Sequence, residues 1–144
     1  MRFARRLVAV GAFGLAGMLP ALADDPVGTW MVQDRKAKVR IAPCGPAMCG
    51  SIVWLAQPID TTTGKPQTDR LNVDPAKRNR PVLGVAILLG MQRANGESRW
   101  SGKIYNPEDG NTYPGSIEFI DAARLKVRGC YAIFCQSEVW TRAN

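Results

Sequence analysis

The feature that most constrains the fold of this chain is a repeated cysteine pattern. The pattern has the form C-x4-C-x-S-x-V-W, and it occurs at residues 44–54 and again at residues 130–140. All four cysteines of the chain lie in these two copies. Either two cross-links or one four-cysteine metal site must therefore hold the chain at these two places.

The N-terminus predicts the compartment in which these cysteines act. Residues 1–6 carry Arg2, Arg5 and Arg6, an uncharged apolar run follows over residues 7–19, and Ala21-Leu22-Ala23 has the small-x-small form of a cleavage site. This order is typical of a secretory signal peptide, and the run is too short to span a bilayer. An amphipathic first helix is disfavoured because the run has no polar face. We expect a signal peptide at residues 1–23 and a periplasmic or secreted protein.

Removing the signal peptide changes the charge of the chain. Residues 24–144 retain 16 basic and 12 acidic residues, a net charge of +4. That mild excess argues against a nucleic-acid partner, and we expect no membrane span in the mature chain. A chain of this size forms one domain with a hydrophobic core of its own.

In an oxidising compartment four cysteines predict two disulfide bonds, for which three connectivities exist. The repeat itself favours the two local pairs, Cys44 with Cys49 and Cys130 with Cys135, each closing the end of a hairpin. The alternative is a zinc site made of four thiolates, but such sites are uncommon in exported proteins. We therefore predict no metal and no other cofactor.

Turn sequences divide the mature chain into hairpins. Asn95-Gly96 and Asp109-Gly110 are strong hairpin turns, and the segments between turns alternate apolar and polar residues, as do Val39 and Ile41 around Arg40. The pattern predicts about eight strands, at residues 28–34, 37–43, 49–56, 83–92, 98–106, 112–120, 124–130 and 135–142. We expect an all-β, antiparallel up-and-down barrel, with a two-sheet sandwich as the alternative.

One long segment interrupts the series of strands. Residues 57–81 contain four prolines and are too long for a hairpin turn. Asp74-Pro75 has the form of an N-cap followed by the first residue of a short helix over 75–79. The segment is either a functional loop or a cover packed over one end of the barrel.

The two ends of the mature chain resemble those of lipocalin-like, or calycin, barrels. Gly28-Thr29-Trp30 opens the first strand and Trp140-Thr141-Arg142 closes the last. The resemblance implies that Gly28, Trp30, Trp140 and Arg142 close the barrel, with the guanidinium lying on an indole ring. The alternative is that Trp30 and Trp140 are ordinary core aromatic residues of the same fold.

A second resemblance extends over nearly the whole mature chain. The matching residues are Gly28-Thr29-Trp30, Cys44, Cys49-Gly50, Asp69, Asn72, Asp74-Pro75, Arg80-Pro81, Leu83-Gly84, Trp100, the run from Gly102 to Gly110, Tyr113, Val127-Arg128-Gly129-Cys130, Cys135 and Trp140-Thr141-Arg142. This set is similar to an exported bacterial family known as domain of unknown function 2147. The resemblance implies a small envelope protein and supplies no catalytic residues.

The residue types present argue against an enzyme. The chain has no histidine, which excludes Ser-His-Asp and Cys-His catalysis. Glu108 and Asp109 are an adjacent carboxylate pair, but they lie in a turn, where side chains seldom converge. Asp69, Asn72 and Asp74 lack the spacing of a calcium loop, and we interpret them as capping and turn residues.

Two apolar features need an explanation. Residues 82–91 are apolar on both faces of a strand, so one face either lies bare or is covered by the 57–81 segment or by a second subunit. Residues 131–134 form an apolar loop between two cysteines, which either plugs the end of the barrel or contacts a partner.

We expect a non-catalytic envelope protein that binds a small apolar or amphipathic ligand inside its barrel, where Gly84, Ala86 and Gly90 suggest space. The alternative is an interaction scaffold that contacts an envelope partner through the 131–134 or 57–81 loop. A carboxylate hydrolase is the weakest hypothesis, and a dimer is compatible with all three.

Overall fold

A computed structural model describes residues 25–143 of the chain, together with residues 11, 12, 14 and 17. The signal peptide and its helix, predicted for residues 1–23, fall almost wholly outside the described residues. The export of the protein therefore stays a prediction from the sequence.

Eight antiparallel strands form one closed barrel in which each strand pairs with its neighbours in the chain and the last pairs with the first. The strands are β1 (Gly28–Met31), β2 (Ala37–Cys44), β3 (Ala47–Leu55), β4 (Ala86–Arg93), β5 (Arg99–Asn106), β6 (Asn111–Asp121), β7 (Arg124–Tyr131) and β8 (Phe134–Arg142). The predicted up-and-down barrel is confirmed, and the two-sheet sandwich is wrong. Hairpin turns such as Asn95-Gly96 have the positive φ at glycine that the sequence indicated.

Because neighbouring strands are antiparallel, successive connections lie at alternate ends of the barrel. The first end holds the start of β1, the end of β8 and the β2–β3, β4–β5 and β6–β7 connections. The second end holds the β1–β2, β3–β4, β5–β6 and β7–β8 connections. The two disulfides, Cys44–Cys49 and Cys130–Cys135, therefore lie at opposite ends.

Side chains fill the middle of the barrel and its first end. Seven core residues have no solvent-accessible surface, so no water-sized void adjoins them: Trp30, Val39, Ile41, Leu88, Met91, Ile117 and Leu125. Gly50 shows how tight the packing is. A Cβ there would lie 2.8 Å from Leu88 Cδ1 and 3.0 Å from Val39 Cγ1. This half of the barrel is a packed core.

The three small residues that suggest interior space are all exposed. Gly84 precedes β4, and Ala86 and Gly90 lie within it. Gly90 has a φ of 57° where the register between β4 and β5 shifts. Glycine is needed there because side-chain residues avoid that backbone conformation. Interior space at these positions stays a prediction from the sequence.

The β3–β4 connection, residues 56–85, covers the outer face of the barrel wall. We call it the covering segment. Leu88 pairs with Ile104, and their neighbours Ile87 and Tyr105 are on the opposite face of the sheet. Ile87 and Tyr105 are nevertheless buried. The second apolar face of residues 82–91 is therefore covered from within the chain.

The covering segment contains the 3₁₀ helix Pro75–Lys77, the one helix among the described residues. Asp74 is its N-cap, and the Ala76 N–H donates to Asp74 Oδ1 at 3.0 Å. The predicted helix at 75–79 thus begins where the Asp-Pro pattern placed it and is two residues shorter.

Candidate functional site: a protruding hairpin arm

The β7–β8 hairpin extends beyond its pairing with the strands on both sides of it. β8 has nine residues, yet only Thr141 and Arg142 pair with β1. On the other side, the pairing of β7 with β6 ends at Gly129, opposite Gly115, although β6 itself begins at Asn111. Residues 130–137 therefore form an arm whose β8 edge pairs with no strand of the described chain and whose tip is unpaired with β6. We call these residues the arm.

Local sequence explains why strand pairing ends early on both sides of the arm. The residue that precedes Gly115 in β6 is Pro114, which has no N–H to donate to a ladder. β1 turns back at once, because the Val32 N–H donates to the Ala37 carbonyl at 3.1 Å. The Gln33 side chain then accepts from the Val139 N–H at 2.7 Å and takes the place of a strand there.

A disulfide holds the arm together. Cys130 and Cys135 are opposite each other in the ladder and are joined by a bond across 4.1 Å between their Cα atoms. An isolated two-stranded hairpin is marginally stable in water. The covalent bond therefore gives the arm the order that neighbouring strands would otherwise supply.

The tip of the arm is apolar and exposed. The exposed fractions are 73% for Tyr131, 88% for Ile133 and 73% for Phe134. Tyr131 has one aromatic neighbour, Tyr113, in an edge-to-face contact with 6.3 Å between ring centroids. An open concavity of about 420 Å³ lies between the arm and residues 111–114 of β6. Large side chains held this far into solvent are typical of a contact surface.

The inner face of the sheet is open at the base of the arm. Val127 is buried in the core and pairs with Glu138, and Gly129 pairs with Gln136. Gln136 and Glu138 are nevertheless exposed, and a Cβ at Gly129 would meet nothing within 4 Å. The second end of the barrel is therefore open beside the arm, whereas its middle is packed.

Arg142 joins several segments at the first end of the barrel. Its guanidinium carbon lies 4.3 Å from the centre of the Trp30 ring. The same guanidinium donates to three backbone carbonyls, those of Ala122 (2.8 Å), Val27 (3.1 Å) and Asp25 (3.2 Å). A Cβ at Gly28 would approach Arg142 Nη1 to 2.7 Å, which is why glycine stands there.

Trp140 is separate from this guanidinium stack. It is 2% exposed and pairs with Leu125 in the core, and its Nε1 donates to Glu138 Oε1 at 3.2 Å. Of the four residues predicted to close the barrel, the structure brings Gly28, Trp30 and Arg142 into contact and places Trp140 in the core beside them.

Asp69 is a buried carboxylate that the sequence interpretation assigned to a turn. It is 1% exposed, and Oδ1 accepts from the Tyr105 hydroxyl at 2.5 Å. Oδ2 accepts from Asn72 Nδ2 at 2.9 Å and from Arg80 Nε at 2.9 Å. These bonds join the covering segment to β5. Asp69 and Tyr105 are 36 residues apart, so no local sequence pattern could predict this contact.

The ionisation of this pair follows from its surroundings. Burial alone would raise the pKa of Asp69, but the hydrogen bonds from Tyr105, Asn72 and Arg80, with the Arg80 charge, hold that pKa below its usual value. Burial and the adjacent carboxylate raise the pKa of Tyr105 to about 12. Asp69 is therefore an anion with saturated oxygens, suited to holding the segment rather than to moving protons.

The turn carboxylates do not converge on a common point. Asp109 Oδ2 accepts from the Tyr113 hydroxyl at 2.5 Å, and its Oδ1 accepts from the Asn111 N–H at 2.9 Å. Glu108 is exposed, with its backbone N–H donating to Asn106. Within residues 25–143, no three Cys, Asp or Glu side chains are grouped as metal ligands would be. Among the described residues no helix has the length and apolar character needed to cross a membrane.

Comparisons with known proteins agree with this fold. The sequence model of a family described as "Uncharacterized protein conserved in bacteria (DUF2147)" matches residues 28–142. A solved structure described as "Protein HP1028 from the human pathogen Helicobacter pylori belongs to the lipocalin family" superposes with a TM-score of 0.69 at 21% identity, over 83% of this chain and 84% of that one. At that identity the match shows the fold alone. No curated protein matches the chain.

Proposed function

Because the chain belongs to the bacterial DUF2147 family, which carries no assigned activity, we propose from its own geometry that it is a non-catalytic, exported envelope protein whose binding element is the arm. The barrel serves as a rigid base, and the apolar tip makes the contact. The observation that carries this proposal is the exposure of Tyr131, Ile133 and Phe134, at 73% to 88%, on a hairpin held by a disulfide.

Two features support an exported, periplasmic protein. The pattern of residues 1–23 is that of a secretory signal peptide. Both pairs of cysteines are joined as disulfides, which form and persist in oxidising compartments such as the bacterial periplasm.

Energetic reasoning supports the choice of the tip. Burying one large apolar side chain fully contributes roughly 1.5–3 kcal/mol. Three such side chains that are mostly exposed in the isolated chain therefore offer several kcal/mol to a partner. The disulfide limits the conformational freedom that binding would otherwise remove.

The test replaces Phe134 with aspartate and compares it with Val73→Asp. Val73 is also apolar and 71% exposed, but it lies in the covering segment. We expect Phe134→Asp to abolish retention of the protein by the cell envelope without changing the melting temperature, whereas Val73→Asp leaves both unchanged. Equal retention of the two variants would refute the proposal, and a joint loss of retention and stability for Phe134→Asp would make the tip part of the core.

A small amphipathic ligand is the second candidate, favoured by the open inner face beside the arm. A Cβ at Gly129 would meet nothing within 4 Å, Gln136 and Glu138 supply polar groups, and Ile104 is half-buried two strands away on β5. The packed middle of the barrel limits such a ligand to this end. Native mass spectrometry of protein purified from its compartment should then show an adduct that Gly129→Phe removes. A ligand-free mass for the unmodified protein would exclude this candidate.

A further inference from the structure

The backbone of the arm presents unpaired hydrogen-bonding groups along one edge. Successive residues of β8 direct their N–H groups to alternate sides: the Arg142 N–H donates to the Ala123 carbonyl beside β7, and the Ala143 N–H donates to the Thr29 carbonyl of β1. The Val139 N–H is on the β1 side as well, where Gln33 accepts it. By the same alternation the N–H and C=O groups of Cys135 and Ser137 face away from β7, where the described chain has no strand.

Few features of the sequence protect this edge from pairing. Edge strands that stay unpaired usually carry charged residues (especially lysine), proline or a bulge, and Glu138 is the one charged residue among residues 134–138. Residues 134–138 have the sequence Phe-Cys-Gln-Ser-Glu, all five are exposed, and their register with β7 is continuous. The edge is therefore a ready template for another strand.

A lipid surface would be a poor occupant for this edge. Insertion of the apolar tip would carry the unpaired N–H and C=O groups of Cys135 toward a medium that cannot hydrogen-bond them, at a cost of several kcal/mol for each group left unsatisfied in hydrocarbon. The neighbouring β5–β6 turn also carries Glu108 and Asp109 at the same end of the barrel. A strand, by contrast, satisfies the backbone groups and buries the tip together.

The described part of the chain places no strand of its own at this edge. Asp25 and Ala143, at the two limits of residues 25–143, both lie at the first end of the barrel, whereas the arm is at the second. A strand of another molecule would satisfy the unpaired groups.

We propose that the occupant is a second copy of this chain, which pairs antiparallel with β8 along the arm and forms a two-fold dimer. A strand edge can pair antiparallel with itself under a two-fold axis, which is the commonest symmetry of homo-oligomers. With the axis at Gln136, Cys135 is opposite the partner subunit's Ser137 and Ser137 is opposite the partner subunit's Cys135. Each of these pairs exchanges two backbone hydrogen bonds, so all four edge groups find partners.

The side chains fit this register. Phe134 is opposite the partner subunit's Glu138, so the two Glu138 carboxylates do not face each other. The two Gln136 amides meet at the axis, where each can both donate and accept. Ile133 lies in the turn just before β8, beyond the paired residues at the edge of this interface. The inference rests on the proposed function, because it names the partner of the same arm.

The test measures the oligomeric state of the disulfide-bonded mature protein by sedimentation equilibrium. We expect a concentration-dependent dimer. Ser137→Lys places a charge on the paired edge and should weaken the dimer by at least about tenfold, the factor that corresponds to about 1.4 kcal/mol. Ser101→Lys is the matched control: Ser101 is an exposed strand serine that already pairs on both sides, with Gln92 and Ser116. This variant should dimerise like the unmodified protein.

A second variant tests the role of the backbone hydrogen bonds at the edge. Ser137→Pro removes only an N–H that faces away from β7, so it should abolish the dimer at an unchanged melting temperature. A protein that is monomeric at all concentrations, or Ser137 and Ser101 variants that dimerise equally, would overturn the inference. A monomer whose envelope retention still depends on Phe134 would overturn this inference and leave the proposed function standing. A dimer that Ser137→Lys and Phe134→Asp leave intact, with envelope retention independent of Phe134, would remove both.

Discussion

Replacing Asp69 with asparagine should loosen the covering segment while leaving the barrel folded. An asparagine that keeps its carbonyl oxygen toward the Tyr105 hydroxyl must direct its amide nitrogen at Asn72 Nδ2 and Arg80 Nε, which are both donors. Two of the three side-chain hydrogen bonds at this site would then be lost and the third would lose its charge.

The magnitude follows from the burial of each partner. Hydrogen bonds to charged groups contribute about 1.5–3 kcal/mol each. Asp69 is fully buried, but 37% of the Arg80 side chain is exposed, so the share of the Arg80 ion pair is reduced by solvent screening. We expect Asp69→Asn to lower the free energy of unfolding by about 2–4 kcal/mol, a large part of the usual 5–15 kcal/mol.

Urea unfolding and limited proteolysis measure this effect together. Asp74→Asn is the matched control, because it makes the same change of charge in the same segment and asparagine caps a helix as well as aspartate does. The control should change stability by less than about 0.5 kcal/mol. Proteolysis should cut the covering segment of Asp69→Asn faster than that of Asp74→Asn, with the barrel strands equally protected in both.

The dependence of stability on pH tests whether the ionised Asp69 carboxylate stabilises the fold. The pKa of Asp69 in the folded protein is lowered, whereas an unfolded aspartate titrates near 3.9. The carboxylate therefore stabilises the fold fully above about pH 4, and this contribution is lost as the pH falls through the folded-state value. The difference between the unmodified protein and Asp69→Asn should thus shrink below about pH 4. Equal stability of the two proteins at pH 7, or a difference that grows in acid, would refute the reasoning.

Three further substitutions test other contacts. Arg142→Lys should cost about 2 kcal/mol in urea unfolding, because an ammonium cannot keep the planar stack on Trp30 while donating to three carbonyls; an unchanged midpoint would count against a role in closing the barrel. Gly110→Ala should destabilise the fold by at least about 2 kcal/mol more than Gly96→Ala, since both glycines have positive φ but only a Cβ at residue 110 would collide with a backbone oxygen, that of Leu71; equal losses would contradict the close packing. Ala132→Gly should raise the free energy of unfolding by up to about 1 kcal/mol, and with it the melting temperature, because Ala132 has a φ of 52°; a lower melting temperature would contradict strain at the tip.

Local patterns predicted the strands well, and the reason is that hairpin turns are encoded locally. Asn95-Gly96 and Asp109-Gly110 supply residues that tolerate positive φ, and the alternation between turns sets the inward face. The Asp74-Pro75 cap was predicted for the same reason. Each of these features depends on a few consecutive residues.

The arm was not predicted, because its exposure depends on the lengths of other strands. Residues 134–138 alternate like any strand, and only the early turn after Met31 and the position of Pro114 leave them without neighbours. Asp69 was missed for a related reason: its partner Tyr105 is 36 residues away. A tyrosine on the outer face of a strand, next to a covering loop with aspartate, would have been the signal to look for.

Site-specific photo-crosslinking in intact cells tests most directly whether the arm is the binding element. A photoreactive amino acid replaces Ile133 at the tip in one strain and Val73 in the covering segment in another; both side chains are highly exposed, at 88% and 71%. The account predicts a discrete crosslinked product from position 133, at the mass of a dimer if the partner is a second copy, and none from position 73. Crosslinking from position 73 alone, or from neither position, would contradict it.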